Sequence, residues 1–339
     1  KKYPDESGLF NISGLCYKKM GQLTTALNCF EKALKLQPDS AELYNNIGIT
    51  SKELGQVERA VKSYEKALLI KSDYAEASYN LAEILGELGQ LEAAVKRYEK
   101  ALAIKPGFAE AHCNLGNTLK DLGQLEKAVK SYEKALVIKQ DYAEVHNNIG
   151  IVFRKLGWLD EAVKSFNKAL LITPNLVKTH NNLANTLRTL GLLDAAVKSY
   201  QKALEINPNY ANTHINLGNV LKELGQLEKA VKSYEKALVI KPDYAEGHYN
   251  LGITLKELGQ LEKAVNSYEK ALVIKQDYAE VHSNLGVTLK ELGQLEKAVN
   301  SYEKALAIEP NYAEAHSNLG AILQELGQLE KAVKSYEKA

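Results

Sequence analysis

Two residue types recur at a spacing that could do chemistry. All seven histidines, His112, His146, His180, His214, His248, His282 and His316, follow one another every 34 residues. Asparagine repeats at the same interval: Asn46, Asn80, Asn114, Asn148, Asn182, Asn216, Asn250, Asn284 and Asn318. A histidine series invites a metal reading. Successive imidazoles, however, are a whole structural unit apart, and packed helices sit about 8–10 Å from one another. No Asp or Cys at helical spacing completes a tetrahedral set, so the histidines read as packing and hydrogen-bonding residues. Cys16, Cys29 and Cys113 have no catalytic partner arrangement and no metal spacing. Phosphate loops, nucleophile elbows and metalloprotease helix motifs are absent from the chain. The expectation is a segment without catalysis, metal or cofactor. The asparagines say more. Asparagine is a poor helix-interior residue, and its amide both donates and accepts, which suits the backbone of an extended peptide. The same amides could instead tie adjacent units together, and both roles stay open.

The elements that position these residues follow from glycine and proline. Ten glycines, Gly21, Gly55, Gly89 and so on to Gly327, step by 34, and all seven prolines share that period. With Ser7 as repeat position 1, residues 1–6 precede the first repeat, nine full repeats fill 7–312 and a truncated tenth occupies 313–339. Each repeat predicts two helices. In the eighth, Leu251, Leu255 and Leu258 recur at helical spacing, as do Leu261, Val265, Tyr268 and Leu272. Helix A runs roughly over 245–258 and helix B over 261–274. Gly259 ends helix A in a left-handed conformation. Proline at position 32 stops helix B, although Ser72, Gln140 and Gln276 stand there in three repeats. One helical hairpin cannot bury its apolar stripe alone, so its neighbours must cover it.

The repeat resembles the tetratricopeptide repeat (TPR), whose period is 34 residues. Position 8 is Gly or Ala (Gly252, Ala184), positions 20 and 27 are Ala (Ala264, Ala271), and position 24 is Tyr or Phe (Tyr268, Phe166). Small residues let helices approach and the ring fills the gap beside them. Histidine at position 4 departs from the family's usual aromatic. The resemblance implies an all-α, right-handed superhelical solenoid over residues 1–339 as a single domain. It makes Lys1 to Glu6 the tail of a preceding helix B. It also implies that helix A lines the inner wall, with positions 2, 5, 6, 9, 12 and 13 facing a groove. The asparagine series resembles the ladder in the superhelix of O-linked N-acetylglucosaminyltransferase, which holds partner chains.

Charge at those groove positions changes along the chain. The third repeat carries Glu76, Glu83 and Glu87, and the eighth carries Glu246, Lys256 and Glu257. Between them, the fifth carries Glu144, Arg154 and Lys155, and the sixth Lys178, Arg188 and Thr189. This cationic stretch is rich in amides. The candidate peptide-binding residues are therefore Asn114, Asn117, Asn147, Asn148, Arg154, Lys178, Asn181, Asn182, Asn185, Arg188, Asn216 and Asn219, with a preference for acidic ligands. A clamp for a chaperone's C-terminal carboxylate is not expected. Asn117, Asn148 and Lys178 fit three of its five places, but Cys113 and Asn182 stand where cations are needed. Trp158 and Leu192 replace the usual glutamine at position 16, either as an exposed contact patch or as packing across the turn. Glu58/Lys62, Glu92/Lys96, Glu126/Lys130 and Glu228/Lys232 read as i,i+4 pairs that keep helix B solvated.

Composition narrows the partners. With 43 Lys+Arg against 42 Asp+Glu, the net charge is +1, which argues against nucleic-acid or anionic-membrane binding. No stretch approaches 18 apolar residues. Three free thiols fit a reducing, cytoplasmic setting. The reading is a protein-interaction scaffold that binds an extended peptide or partner segment. Two others stand beside it: the substrate-recognition domain of a larger glycosyltransferase or sulfotransferase, and an architectural protein associating end to end through uncapped terminal repeats.

Overall fold

A computed structural model describes residues 6–339, and every regular element among them is an α-helix. The described chain comprises two compact units, Lys1–Ile172 and Thr173–Ala339. Within each, a repeat stack is held together through nearest neighbours. The first unit contains α1 (Glu6–Lys19), α2 (Leu23–Leu36), α3 (Ala41–Glu53), α4 (Val57–Ile70), α5 (Ala75–Glu87), α6 (Leu91–Ile104), α7 (Ala109–Asp121), α8 (Leu125–Ile138), α9 (Ala143–Lys155) and α10 (Leu159–Ile172). The second contains α11 (Val177–Thr189), α12 (Leu193–Ile206), α13 (Ala211–Glu223), α14 (Leu227–Ile240), α15 (Ala245–Glu257), α16 (Leu261–Ile274), α17 (Ala279–Glu291), α18 (Leu295–Ile308), α19 (Ala313–Glu325) and α20 (Leu329–Tyr336). Odd numbers are helix A and even numbers helix B. Within each unit every hairpin packs on the next, which makes a stack of five. Glu6 opens α1 and so belongs to the first hairpin; the rest of the expected preceding tail, residues 1–5, lies outside the described residues.

Each turn is built as the glycines suggest. Gly123 sits at φ +74°, its N–H reaches the Lys120 carbonyl at 3.1 Å, and the Gln124 N–H closes on the Leu119 carbonyl at 2.8 Å. Those bonds satisfy carbonyls that the end of helix A would leave bare. The stop of helix B is different. It falls after Ile138 and Ile274, although Gln140 and Gln276 follow instead of proline. Proline is therefore dispensable there. In the eighth repeat the position-32 carbonyl is held by the next repeat's histidine, His282 Nε2 lying 3.2 Å from the Gln276 oxygen.

The core repeats as well. Ala128, Tyr132 and Ala135 of α8 are fully buried, as are Ala162, Phe166 and Ala169 of α10. The ring at position 24 lies flat on the small residue at position 8. A Cβ added to Gly116 would stand 2.5 Å from Tyr132 Cε1, so the glycine sets how closely α7 and α8 approach.

Candidate functional site: the helix A faces

The asparagines are half-buried and point back one hairpin. In the first unit, Asn46 Nδ2 donates to Asn11 Oδ1 at 3.1 Å and Asn80 Nδ2 to Asn45 Oδ1 at 3.0 Å. Asn114 Nδ2 donates to the Tyr79 hydroxyl at 2.9 Å and to Glu83 Oε1 at 3.2 Å. Asn148 Nδ2 donates to Asn117 Oδ1 at 3.0 Å, and Asn147 Nδ2 to Asn148 Oδ1 at 3.2 Å. Asn117 Oδ1 also accepts the Tyr132 hydroxyl at 2.7 Å. The second unit has the same construction. Asn250 donates to Asn219 at 3.2 Å, Asn219 accepts Tyr234 at 2.7 Å, and Asn185 accepts Tyr200 at 2.5 Å.

The ladder therefore ties hairpins together first. What each half-buried amide still offers a ligand is the rest of its donor and acceptor capacity. Asn181 departs from the expected groove position. It is buried, its Oδ1 accepts the Thr213 hydroxyl at 2.7 Å and its Nδ2 donates to the Val177 carbonyl at 3.0 Å. Both halves of its amide are used inside the second unit, because position 5 tucks under the neighbouring helix A. Asn182 and Asn216 are half-buried on the same helices.

Four cations at position 12 pair with carboxylates at position 13 of the next repeat. Lys18 reaches Glu53 at 3.0 Å, Lys52 reaches Glu87 at 3.0 Å and Lys256 reaches Glu291 at 3.1 Å. Arg188 does the same, its Nε donating to Glu223 Oε1 at 2.9 Å. That hydrogen bond raises the guanidinium further above its ordinary value. Arg188, counted among the cations meant for a ligand, is thus neutralised by its own chain. The first unit breaks the rule at repeats 4 and 5. The position diagonal to Lys120 is held by Lys155, and Lys120 instead lies 3.4 Å from Asp121. Among the described residues, Arg154 and Lys178 have no carboxylate within 4.0 Å. Sequence reasoning missed Lys120; its like-charged diagonal was the available signal.

Most histidines are engaged with backbone carbonyls, and one cysteine, Cys113, is buried. Nε2 of His112, His180, His214, His248 and His316 lies 2.9–3.1 Å from the carbonyl of the proline six residues earlier. Burial holds the imidazoles of His112, His146, His214, His248 and His282 below the ordinary histidine range. The Cys113 thiol is pushed up to about 12, chiefly by burial. No cluster of three His, Cys, Asp or Glu suited to a metal occurs among the described residues. None of their helices is long and apolar enough to cross a membrane. Trp158 and Leu192 are exposed as expected at position 16, one in each unit. Trp158 also packs on Phe153, with ring centroids 5.6 Å apart. Glu58/Lys62, Glu92/Lys96, Glu126/Lys130 and Glu228/Lys232 do not close to within 4.0 Å, so these charges point to solvent separately.

The family described as "TPR repeat" matches residues 14–157 and 184–327 in overlapping segments, and the one described as "Tetratricopeptide repeat" matches 143–176. No curated protein matches the chain. Among solved structures, a tetratricopeptide repeat protein from Parabacteroides merdae is 20% identical, with a TM-score of 0.55 over 74% of this chain and 100% of that one. PilF of Pseudomonas aeruginosa is 21% identical, with a TM-score of 0.54 over 61% of this chain and 94% of its own. YrrB, described as a TPR protein with an unusual peptide-binding site, is 26% identical, with a TM-score of 0.48 over 56% of this chain and 97% of its own. The likenesses to the Parabacteroides merdae protein and to PilF speak to the fold.

Proposed function

The chain belongs to the tetratricopeptide repeat family, and from that premise we propose that it binds rather than catalyses, holding an extended segment of a partner protein along its helix A faces. The carrying observation is the interrupted charge ladder of the first unit. Lys18, Lys52, Arg188 and Lys256 each meet a position-13 carboxylate of the next repeat, and Lys222 and Lys290 have one at that place, Glu257 and Glu325, without closing to 4.0 Å. Lys120, Arg154 and Lys155 instead form a cationic stretch beside Asn117 and Asn148, which favours acidic side chains. Half-buried amides supply contacts to peptide backbone that do not depend on sequence. The charges add preference and on-rate, and they weaken with salt. Histidines committed to backbone carbonyls and a thiol raised by burial agree with binding without catalysis.

The test compares an acidic, proline-containing peptide with its glutamine counterpart by fluorescence anisotropy. Arg154→Glu with Lys155→Glu should weaken the acidic peptide roughly tenfold, in keeping with two exposed charge reversals, and leave the glutamine peptide nearly unchanged. Lys256→Glu, at a cation already paired within the chain, should do little. Equal weakening of both peptides would refute the acidic preference, and no binding of either would refute the scaffold reading.

A further inference from the structure

The helix B side of the first unit carries a groove that the helix A reading does not use. It runs between α6 and α8 over α7 and encloses about 690 Å³. Its floor is apolar: Leu102 from α6, with Leu115 and Leu119 of α7, the latter two 7% and 6% exposed. One wall is cationic. Lys127, Lys130 and Lys134 of α8 line it at spacings of three and four, which puts them on one helix face. The opposite wall carries Glu99 as its one charged residue. Among the described residues none of the three lysines has a carboxylate within 4.0 Å, and Lys127 donates to the neutral Gln124 Oε1 at 2.9 Å. At one end of the groove Val137 is 81% exposed, although nothing in the stability of α8 needs an aliphatic group there.

Grooves of the same construction follow one another in the second unit, between α12 and α14, α14 and α16, and α16 and α18, with volumes of about 840, 730 and 720 Å³. Asn266 and Asn300 replace the middle lysine in the last two, so their walls are less cationic, while α14 repeats the α8 wall with Lys229, Lys232 and Lys236.

We propose that the groove between α6 and α8 docks an acidic amphipathic helix of a partner protein. Charge complementarity selects this occupant. The groove follows two parallel helices of 14 residues, so it is about 20 Å long and takes roughly four turns of helix. Apolar side chains at i, i+3, i+4 and i+7 settle on Leu102, Leu115 and Leu119 and reach Val137. Carboxylates on the flank of the same helix meet lysines placed at matching helical intervals. This is helix-in-groove recognition, with an apolar stripe for affinity and charge for orientation. A second copy of the chain fits less well, since symmetric pairing would bring two lysine walls together. The proposal stands independently of peptide binding on helix A.

The probe is a labelled 16-residue helical peptide with leucine at i, i+3, i+4 and i+7 and glutamate on the flank, read by fluorescence anisotropy against the whole chain. Lys130→Glu with Lys134→Glu should raise its Kd roughly tenfold at low salt. Val137→Glu, at an exposed site that cannot disturb folding, should also weaken it. Circular dichroism confirms that each variant is folded. Arg154→Glu with Lys155→Glu should leave this peptide unaffected. Three results would overturn the proposal: equal affinity for the variants and the parent; equal binding of the peptide with lysine in place of glutamate; or peptide-free protein whose mass doubles with concentration and is restored to one chain by Lys130→Glu with Lys134→Glu.

Discussion

Replacing Asn117 tests whether the ladder is a tie between hairpins. Asn117 Oδ1 accepts two hydrogen bonds, from Tyr132 within its own hairpin at 2.7 Å and from Asn148 of the next at 3.0 Å. Tyr132 is fully buried, so Asn117→Ala strands its hydroxyl away from water. An unsatisfied buried group costs about 1–3 kcal/mol. Asn148→Ala removes its bond to Asn117 and the one it accepts from Asn147, but both of those partners are half-buried within reach of water and Asn117 keeps Tyr132 as donor, so it should cost only about 0.5–1.5 kcal/mol. The fifth repeat supplies a control, because Ile151 and Phe166 occupy the two places held by Asn117 and Tyr132 in the fourth. Asn117→Ile with Tyr132→Phe copies that apolar pair. It should recover most of the loss, since the buried phenol goes with its acceptor and only the half-buried Asn148 amide, which water can reach, loses a partner. Urea unfolding followed by far-ultraviolet circular dichroism gives the midpoints. The slopes must be compared as well, because a repeat stack can unfold in parts. If Asn117→Ala costs no more than Asn148→Ala, or if the Ile/Phe pair costs the sum of its single changes, the hydrogen-bond account of the ladder is wrong.

Three further outcomes follow from the packing and the electrostatics. Ala162 is fully buried against its neighbours, so Ala162→Leu should overpack α10 and lower stability by about 1–3 kcal/mol in the same urea assay. Gly123→Ala places a side chain at φ +74° with no clash, so the cost should be that of the left-handed backbone alone, about 1–2 kcal/mol. Burial lowers the folded-state pKa of His112, His146, His214, His248 and His282, so the unfolded chain binds more protons on acidification. Their contribution is therefore complete above the ordinary value near about 6.5 and lost as pH falls through the lowered folded values. Urea midpoints should fall between pH 7.5 and 5, and His→Gln at these five positions should flatten that dependence.

The parts legible in sequence are those governed by one repeat at a time. Gly259 and the leucine spacing locate helix A, and helix B of the eighth repeat runs over the expected residues, Leu261–Ile274. What escaped depends on how one hairpin is turned against the next. The donors of Asn46, Asn80, Asn114 and Asn148 reach back one repeat, which no pattern within a repeat reveals. The choice between Asn117 and Tyr79 as acceptor depends on which residue stands at positions 5 and 9 of that neighbour. The same rotation buries Asn181 and pairs Arg188 with Glu223. Surface pairing failed for another reason. Glu126 and Lys130 have the right spacing, but long solvated side chains gain little by meeting. Co-occurrence of tyrosine at position 24 with asparagine at position 9 (Tyr132/Asn117, Tyr200/Asn185, Tyr234/Asn219) was visible in the chain and pointed to the phenol contacts.

Paramagnetic NMR with a spin-labelled, acidic, proline-containing peptide tests the binding face most directly. Side-chain amide signals of Asn117 and Asn148 and the methyl signals of Ile151 report on the helix A face of the first unit, while the methyl signals of Val137 and Leu171 report on its helix B side. Peptide held as proposed broadens Asn117, Asn148 and Ile151, leaves Val137 and Leu171 sharp, and loses the effect as salt is raised. Broadening confined to Val137 and Leu171, or spread evenly over both sides, would contradict an extended ligand on the helix A face.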